Sequence, residues 1–577
     1  MSKYFPFLNW LFHYRKQDFK GDLSAGLTVA VMLIPQGMAV ALLAGLPPIV
    51  GLYASVAPLF IYALFGTSRQ MSVGPVAIIS LLVASGIGRF AEPGSEQYIL
   101  YATVLAGMVG LILFFMGLIR LGFIINFLSH PVISGFTSAA AVIIAFSQLK
   151  HLLGISIPHT LHVEKIISYS IQHIDAVNLP TILIGTGCIL TLLVLRWWKS
   201  TFPRALIVVA ASTASVWAFG LQVAGVNIMG EVPKGLHGFE IPQFAPATLT
   251  ALFPIAVAIA LVGFMESIAV AKNFAAKNHY EVDANQELIG LGLANIAASV
   301  FGAYPVTGGF SRSAVNAQSG ARTGLASMIT AVTIALTLLF LTQLFYFLPT
   351  ATLAAIIIVA VVGLIDLKEV KHLYLVKRTD LISLVVTFFA TLILGIEKGL
   401  ILSIVASLIL VTKRTTHPHC AILGRLPGTK IYRNIERYPE AITLNGLVIL
   451  RIDASLYFAN VSFLKDRFQE IIHNYNSNLK AIIFDASSVN DIDSSADTAL
   501  QEIADSLRQR NISLYFTNVK GPVRDVMRNS GFYQKLGADH FFFSNHDAVL
   551  HFLDEKMDIK NELPGKAVKR KLISKLF

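Results

Sequence analysis

Two ionisable residues set in apolar runs are the best candidates for chemistry in this chain. Glu266 stands in Gly263-Phe264-Met265-Glu266-Ser267-Ile268-Ala269, after several helical turns of apolar residues. An acid inside a membrane-type segment is expensive and by default functional. Cut off from water, such a carboxyl can exist neutral, and so can take up and release a proton. The alternative is a structural carboxyl bonded to backbone donors. Arg312 stands in Tyr304-Pro305-Val306-Thr307-Gly308-Gly309-Phe310-Ser311-Arg312-Ser313. Its guanidinium keeps its charge and matches oxyanion geometry. Ser311 and Ser313 add hydroxyl donors, and the N–H groups of a helix start attract anions. Alternatively Arg312 snorkels or pairs with Glu266, and a pair is itself compatible with coupling.

A second interrupted stretch reads Ser72-Val73-Gly74-Pro75-Val76-Ala77. Gly and Pro break a helix inside a hydrophobic run here, so Val73, Gly74 and Val76 form a second helix start facing the first. Paired breaks of this kind mark the binding site in transporters built from repeats. Ordinary kinking is the plainer reading of Gly and Pro in membrane helices, but corresponding places in two halves argue against it. Gln36, in Ile34-Pro35-Gln36-Gly37-Met38-Ala39, is a neutral polar group at depth that serves substrate or a neighbouring helix equally well. Two helix starts and one arginine predict an anionic substrate.

The elements that position these residues follow from composition. Of 577 residues, 55% are hydrophobic and 14% charged, and mean hydropathy is +0.66. A soluble protein is about one quarter charged, so the chain reads as a polytopic membrane protein. The net charge of +11 fits basic residues in membrane-proximal loops. No recognition motif supports nucleic acid as a partner. Cys188 and Cys420 form neither a disulfide framework nor a metal pair. HExxH and GxxxxGK[ST] are absent, so no metal and no ATP is indicated, and no nucleophile–base constellation supports an enzyme.

Residues 1–22 read as a cytoplasmic N-terminal segment rather than a cleavable signal. Trp10, Phe12 and Tyr14 are expected toward lipid, with Arg15, Lys16 and Lys20 at headgroups. Residues 23–412 read as the transmembrane transport domain, with about fourteen segments from 23–43 to 397–412. The third, 74–88, and the tenth, 311–321, are too short to cross. If the gaps alternate from a cytoplasmic N-terminus, one side collects Arg69, Arg120, Arg196, Lys199, Arg204, Lys272, Lys277 and Arg322 among others. The other side holds Arg89, Lys150, Lys165, Lys234 and Lys398. That asymmetry supports an even count with both termini inside. The short segments are then third in each half of seven, and halves of odd number must be inverted. Residues 415–557 alternate strands (Leu447–Asp453, Ala481–Asp485, Ser513–Asn518) with helices, as in a small cytoplasmic α/β domain. In it, Asp491-Ile492-Asp493-Ser494-Ser495-Ala496-Asp497 opens a helix with ordinary N-cap residues. Ser495 would also receive a phosphate well. Residues 558–577 are a basic tail, solvated or lipid-facing.

Several motifs occur in one order: Ile34-Pro35-Gln36-Gly37-Met38-Ala39, Pro48-Ile49-Val50-Gly51-Leu52-Tyr53-Ala54-Ser55, Phe65-Gly66-Thr67-Ser68-Arg69-Gln70, Val73-Gly74-Pro75-Val76-Ala77, Phe264-Met265-Glu266-Ser267-Ile268-Ala269 and Phe310-Ser311-Arg312-Ser313. Together they resemble the sulfate permease family of anion transporters over nearly the whole chain. The C-terminal domain resembles the STAS domain. The resemblance implies a seven-plus-seven inverted repeat of the uracil permease type, with core and gate domains, usually in a homodimer. It implies substrate between the third and tenth half-helices, contacted at Gln36, Ser311 and Arg312. The position of Glu266 is linked to proton coupling in sulfate symporters, and Glu rather than Asp favours protons over sodium. Ser495 matches the serine phosphorylated in soluble relatives of the STAS domain. Val40 departs from a tyrosine common in the family, and Val50 departs within a second signature.

The resulting expectation is sulfate:proton symport by alternating access in the plasma (inner) membrane, without a cofactor. A bicarbonate or dicarboxylate symporter, or an exchanger or channel on the same scaffold, is the alternative. A membrane-tethered regulator is a third class.

Overall fold

The computed structural model describes residues 5–12, 14–123, 130–157, 162–197, 204–242, 245–475 and 478–558. Lys199 and the basic tail from residue 559 onward lie outside the described residues. The chain divides into two compact units, Met1–Leu408 and Ile409–Phe577.

The first unit is helical apart from two short strands. Its principal elements in chain order are α1 (Lys16–Leu43), α2 (Ala57–Phe65), β1 (Val73–Gly74), α3 (Ala77–Ile87), α4 (Glu96–Leu118), α5 (His130–Ser147), α6 (Leu149–Leu153), α7 (Leu179–Trp197) and α8 (Arg204–Phe219). Then follow α9 (Pro246–Lys277), α10 (Ala284–Val300), β2 (Thr307–Gly308), α11 (Phe310–Gln318), α12 (Leu325–Phe340), α13 (Thr350–Val362) and α14 (Arg378–Leu394). Among the described residues six helices are long and apolar enough to cross a membrane, and four shorter apolar helices accompany them.

The interrupted segments differ from these in kind. With 11 residues in α3 and 9 in α11, they rise about 16 and 14 Å, against a hydrocarbon core of about 30 Å. Each is preceded by one of the strands, so the break is a turn of extended chain rather than a kink. α1 starts at Lys16, well before residue 23, because Asp18 turns back to accept the Arg15 N–H at 3.1 Å and caps the first turn. Tyr14 turns inward to Asp22 rather than toward lipid, its hydroxyl donating over 3.1 Å.

Prolines and glycines shape the helices around the site. Pro35 lies inside α1 and Pro254 inside α9. Each removes one helical hydrogen bond and clashes with the carbonyl four residues earlier. Gly37 and Gly51 meet backbone to backbone. A Cβ on Gly51 would stand 2.0 Å from the Gly37 carbonyl oxygen, so this position has no room for a side chain, while a Cβ on Gly37 would meet the Gly51 oxygen more loosely, at 3.1 Å. This contact accounts for glycine in the second motif. The same device brings α4 against α10, where a Cβ on Gly110 would meet the Gly292 oxygen at 2.8 Å. Small residues at helix crossings permit this close packing.

The second unit is a six-stranded sheet. Its strands are β3 (Cys420–Arg425), β4 (Tyr432–Asn434), β5 (Leu447–Ile452), β6 (Ala481–Asp485), β7 (Ser513–Thr517) and β8 (Phe541–Phe542), in the order β4-β3-β5-β6-β7-β8. From β5 to β8 neighbours are parallel, and β3 is antiparallel to β4 and β5. Helices α15 (Val461–Tyr475), α16 (Ser494–Gln509), α17 (Gly521–Asn529) and α18 (Asn545–Asp558) cover it. The two faces carry separate cores. Ile482 and Phe484 point to one, with Phe468 and Leu500, and Ala481 and Ile483 to the other, with Phe552. Burial on both faces produces the continuous apolar runs read as strands.

Candidate functional site

The site is built on a hairpin-like, two-residue antiparallel pairing of segments far apart in the chain. β1 and β2 pair antiparallel, with Val73 opposite Gly308 and Gly74 opposite Thr307. Around this pairing the Gly309 N–H donates to the Ser72 carbonyl at 3.2 Å. The Ser72 N–H donates to Ser313 Oγ at 3.0 Å, and that hydroxyl donates to the Gly309 carbonyl at 2.8 Å. Ser313 thus ties the two strands together.

Neighbouring helices lock the hairpin in place. The Thr307 hydroxyl donates to the Gly263 carbonyl of α9 at 2.6 Å. Ser267 Oγ lies 2.6 Å from it and accepts the Gly308 N–H at 2.9 Å. From α10, Asn295 both accepts from the Val306 N–H, at 2.9 Å, and donates to the Val306 carbonyl, at 3.0 Å. Buried backbone groups must be paired, and these side chains supply the partners that a broken helix cannot.

Just beyond the hairpin, α3 and α11 begin. Neither N-cap, Val76 or Gly309, offers a side chain to the first turn. The first N–H groups of a helix have no partner within it, so both starts present free donors and the positive ends of their dipoles. Arg312 lies between them and is 1% exposed. It donates to the Pro75 carbonyl, and from Nη2 to the Thr307 carbonyl at 3.5 Å. Its bonds therefore go to the backbone of both segments and not to Glu266. Glu266 Oε2, Arg312 Nε, Ser72 Oγ and Asn316 Oδ1 are buried without a hydrogen-bond partner among the described residues.

Gln36 and Ser311 meet across a cavity of about 570 Å³. α1 lines it with Ser24, Thr28, Met32 and Gln36, a helical face with about 18 Å of rise. α11 contributes Ser311, Val315, Gln318 and Ser319, and α13 contributes Ile356, Val359 and Ala360. The lining carries one formal charge, Arg204 at the start of α8. Gln36 Oε1 is buried and unpaired. Val40 is buried and does not line this cavity.

The residues singled out in the sequence thus fall into three places. Gln36 and Ser311 face the cavity. Val73, Gly74, Val76 and Arg312 form the hairpin and helix starts behind it. Glu266 lies on α9 beside Ser267, which bonds the hairpin, with its Oε2 buried and unpaired. In the second unit Asp493 caps α16 through the Ala496 N–H at 2.8 Å, and Ser495 is exposed beside it.

Sequence reasoning missed two buried acids that hold the segments flanking the hairpin. Glu287, at the start of α10, accepts from Tyr62 Oη at 2.7 Å, from the Thr67 N–H and hydroxyl at 2.6 Å each, and from the Ser68 N–H at 3.1 Å. Asp22 of α1 accepts from the Arg322 N–H at 2.7 Å, the Thr323 N–H at 3.1 Å and the Thr323 hydroxyl at 2.6 Å. The first fixes the turn entering β1, the second the turn leaving α11. Their signal was an acid within a turn of an apolar run, hidden because each lies at a segment end. Asn295 gave no such signal, since its partner Val306 is known only from the fold.

A sequence profile of the sulfate permease family matches residues 19–387. The chain belongs to the sulfate permease family. Its members are transporters, not enzymes. A STAS domain profile matches residues 438–548. Two relatives from Arabidopsis thaliana extend along nearly the whole permease. Sulfate transporter 4.1, chloroplastic, is 43% identical over 94% of this chain and 82% of its own length. Probable sulfate transporter 4.2 is 42% identical over 96% and 85%. The fold is that of murine Slc26a9, an anion transporter in the inward-facing state. The TM-score is 0.87 at 26% identity, over 95% of this chain and 94% of that one.

Proposed function

We propose that this permease imports an inorganic oxyanion, sulfate, together with protons. The observation that carries the reading is the pair of uncapped helix starts beside β1 and β2, with Arg312 bonded to both segments. Donors and charge converge there with no acid bonded to the guanidinium. A desolvated cluster of this sign favours a compact anion. Val73, Gly74 and Val76 carry the backbone of one start, and Ser311 carries the other start to the cavity. Gln36 supplies an amide from α1. Arg204, the one charge lining the cavity, draws anions in from its mouth. Relatives named as sulfate transporters support sulfate as the occupant.

Glu266 is the proton carrier in this reading. Its Oε2 has no hydrogen-bond partner, so the carboxyl can gain or lose a proton without breaking a structural bond. Ser267, the next residue on α9, accepts the Gly308 N–H, so the proton site and the anion site belong to one piece of structure and load together. Alternating access then moves the hairpin and its supports against α5, α7, α8 and α13. The protein works as a homodimer in a plasma (inner) membrane with the STAS domain in the cytoplasm, and Ser495 is open to phosphorylation. The chloroplastic relative makes an organelle membrane the second placement.

Uptake by purified protein in liposomes tests this, using sulfate, bicarbonate and dicarboxylates at equal and unequal pH. Sulfate accumulation driven by external acid is expected. Absence of sulfate uptake under both conditions would overturn the reading. An exchanger or channel on the same scaffold is the second reading, compatible with the likeness to an anion transporter whose name does not include sulfate. Voltage-clamped anion current without proton movement would select it.

A further inference from the structure

The first unit contains a second cavity, of about 310 Å³. It is lined by Leu42 and Leu43 at the end of α1, by Gly45, Leu46 and Pro47 just after it, by Leu81 and Ala84 of α3, by Pro93 and Gly94, and by Ser147, Gln148, Lys150 and His151 around α6. The first cavity ends at Gln36 of α1, and this one begins about 9 Å further along the same helix, at Leu42. Between them Gly37, Met38, Ala39, Val40 and Ala41 are all buried. Leu81 and Ala84 belong to the helix whose start forms the candidate site. The two cavities therefore approach the site from opposite ends, with a closed stretch of α1 between.

Charge gives this cavity its chemistry. Lys150 is the one lysine or arginine in its lining, and no carboxylate lines it. No acid lies within 4.0 Å of the ammonium among the described residues, where the neighbouring Glu164 pairs with His162. Burial disfavours the charged ammonium of Lys150, and an anion from solution beside it offsets that cost. Gln148, donating to Ser147 Oγ at 3.0 Å, and the His151 ring add polar groups beside it. Arg204 holds the corresponding place in the first cavity, also as the one charge in an otherwise neutral lining.

We propose that Lys150 forms an anion-loading station at the mouth opposite Arg204, holding a small oxyanion before it reaches the paired helix starts. This rests on the transport reading above. The test compares wild type with Lys150→Gln and Lys150→Arg, using sulfate KM in right-side-out and inside-out vesicles. Lys150→Gln is expected to raise KM about tenfold for entry from one side only, the loss of one charged hydrogen-bonding partner. Lys150→Arg, which keeps the charge, stays near wild type. An unchanged KM from both sides, or an equal rise from both, overturns the station. Wild-type vesicles that take up no sulfate at all would instead overturn the transport reading. A binding measurement on the unmutated protein is independent of both. Sulfate, but not gluconate at equal ionic strength, is expected to slow acylation of Lys150 in purified full-length protein, with exposed Lys234 as control. Equal labelling of Lys150 in the two salts overturns the proposal.

Discussion

At the start of α10, Glu287 is fully buried and accepts four hydrogen bonds, from Tyr62, Thr67 and Ser68. Midway along α9, Glu266 keeps one oxygen buried with no donor. The same side chain, in adjacent helices of one unit, is used in two ways. Glu287 has its lone pairs committed to a turn whose backbone would otherwise be unpaired. Removing it would leave several buried donors without an acceptor, each at about 1–3 kcal/mol. Glu266 holds no segment in place through its free oxygen. Burial of an acid therefore does not by itself identify a proton carrier; the state of its hydrogen bonds separates an anchor from a group free to change partners.

The largest effect is expected at the anchor. Glu287→Ala should destabilise the protein by about 3–5 kcal/mol, as for a broken buried polar network, and should be read as a large drop in melting temperature in detergent. A variant that melts with wild type would erase the contrast. Asp22 extends the comparison to the other flank of the hairpin. Asp22→Ala strips acceptors from Arg322 and Thr323, and a loss of about 2–3 kcal/mol is expected. If Asp22→Ala lowers stability while Glu287→Ala does not, the two turns are not equivalent supports.

Much of this contrast was written in the sequence, though unevenly. Both interrupted segments were legible because Gly and Pro fall inside long apolar runs, and a single charge stands out there. Glu266 and Arg312 were visible for that reason. Glu287 and Asp22 were not, because an acid near the end of an apolar run looks like a residue at the membrane surface. Only the fold brings Thr67 and Ser68 to one of them and Thr323 to the other, across more than two hundred residues of chain. The bonding of Arg312 to carbonyls instead of Glu266 was equally hidden, since side-chain direction at a helix start depends on what the opposite strand presents. In the second unit β5, β6 and β7 were legible as buried apolar runs. β3, β4 and β8 were not, being edge or near-edge strands that are short or half-exposed.

Arg312 lies between the two glutamates in character, part anchor and part site. Arg312→Ala removes donors from the Pro75 and Thr307 carbonyls, at about 1–2 kcal/mol of stability. Sulfate affinity should fall about tenfold or more, the loss of a charge-assisted contact. Melting and equilibrium binding measured on the same preparation separate the two effects. Weakened melting with unchanged affinity would move Arg312 into the class of Glu287.

The smallest effect on the fold, and the most telling one, is expected at Glu266. Glu266→Gln keeps the side chain's shape and removes its ability to exchange a proton. Since Oε2 accepts no hydrogen bond, melting should stay within about 0.5 kcal/mol of wild type, as for substitutions that break no buried network. Sulfate accumulation driven by a pH gradient should disappear in proteoliposomes, while sulfate–sulfate exchange, which needs no net proton movement, should persist. Full pH-driven accumulation by the variant would remove Glu266 from coupling. Loss of exchange together with a large drop in melting would show instead that Glu266 is an anchor like Glu287, and that its unpaired oxygen is filled by a structural partner in the membrane.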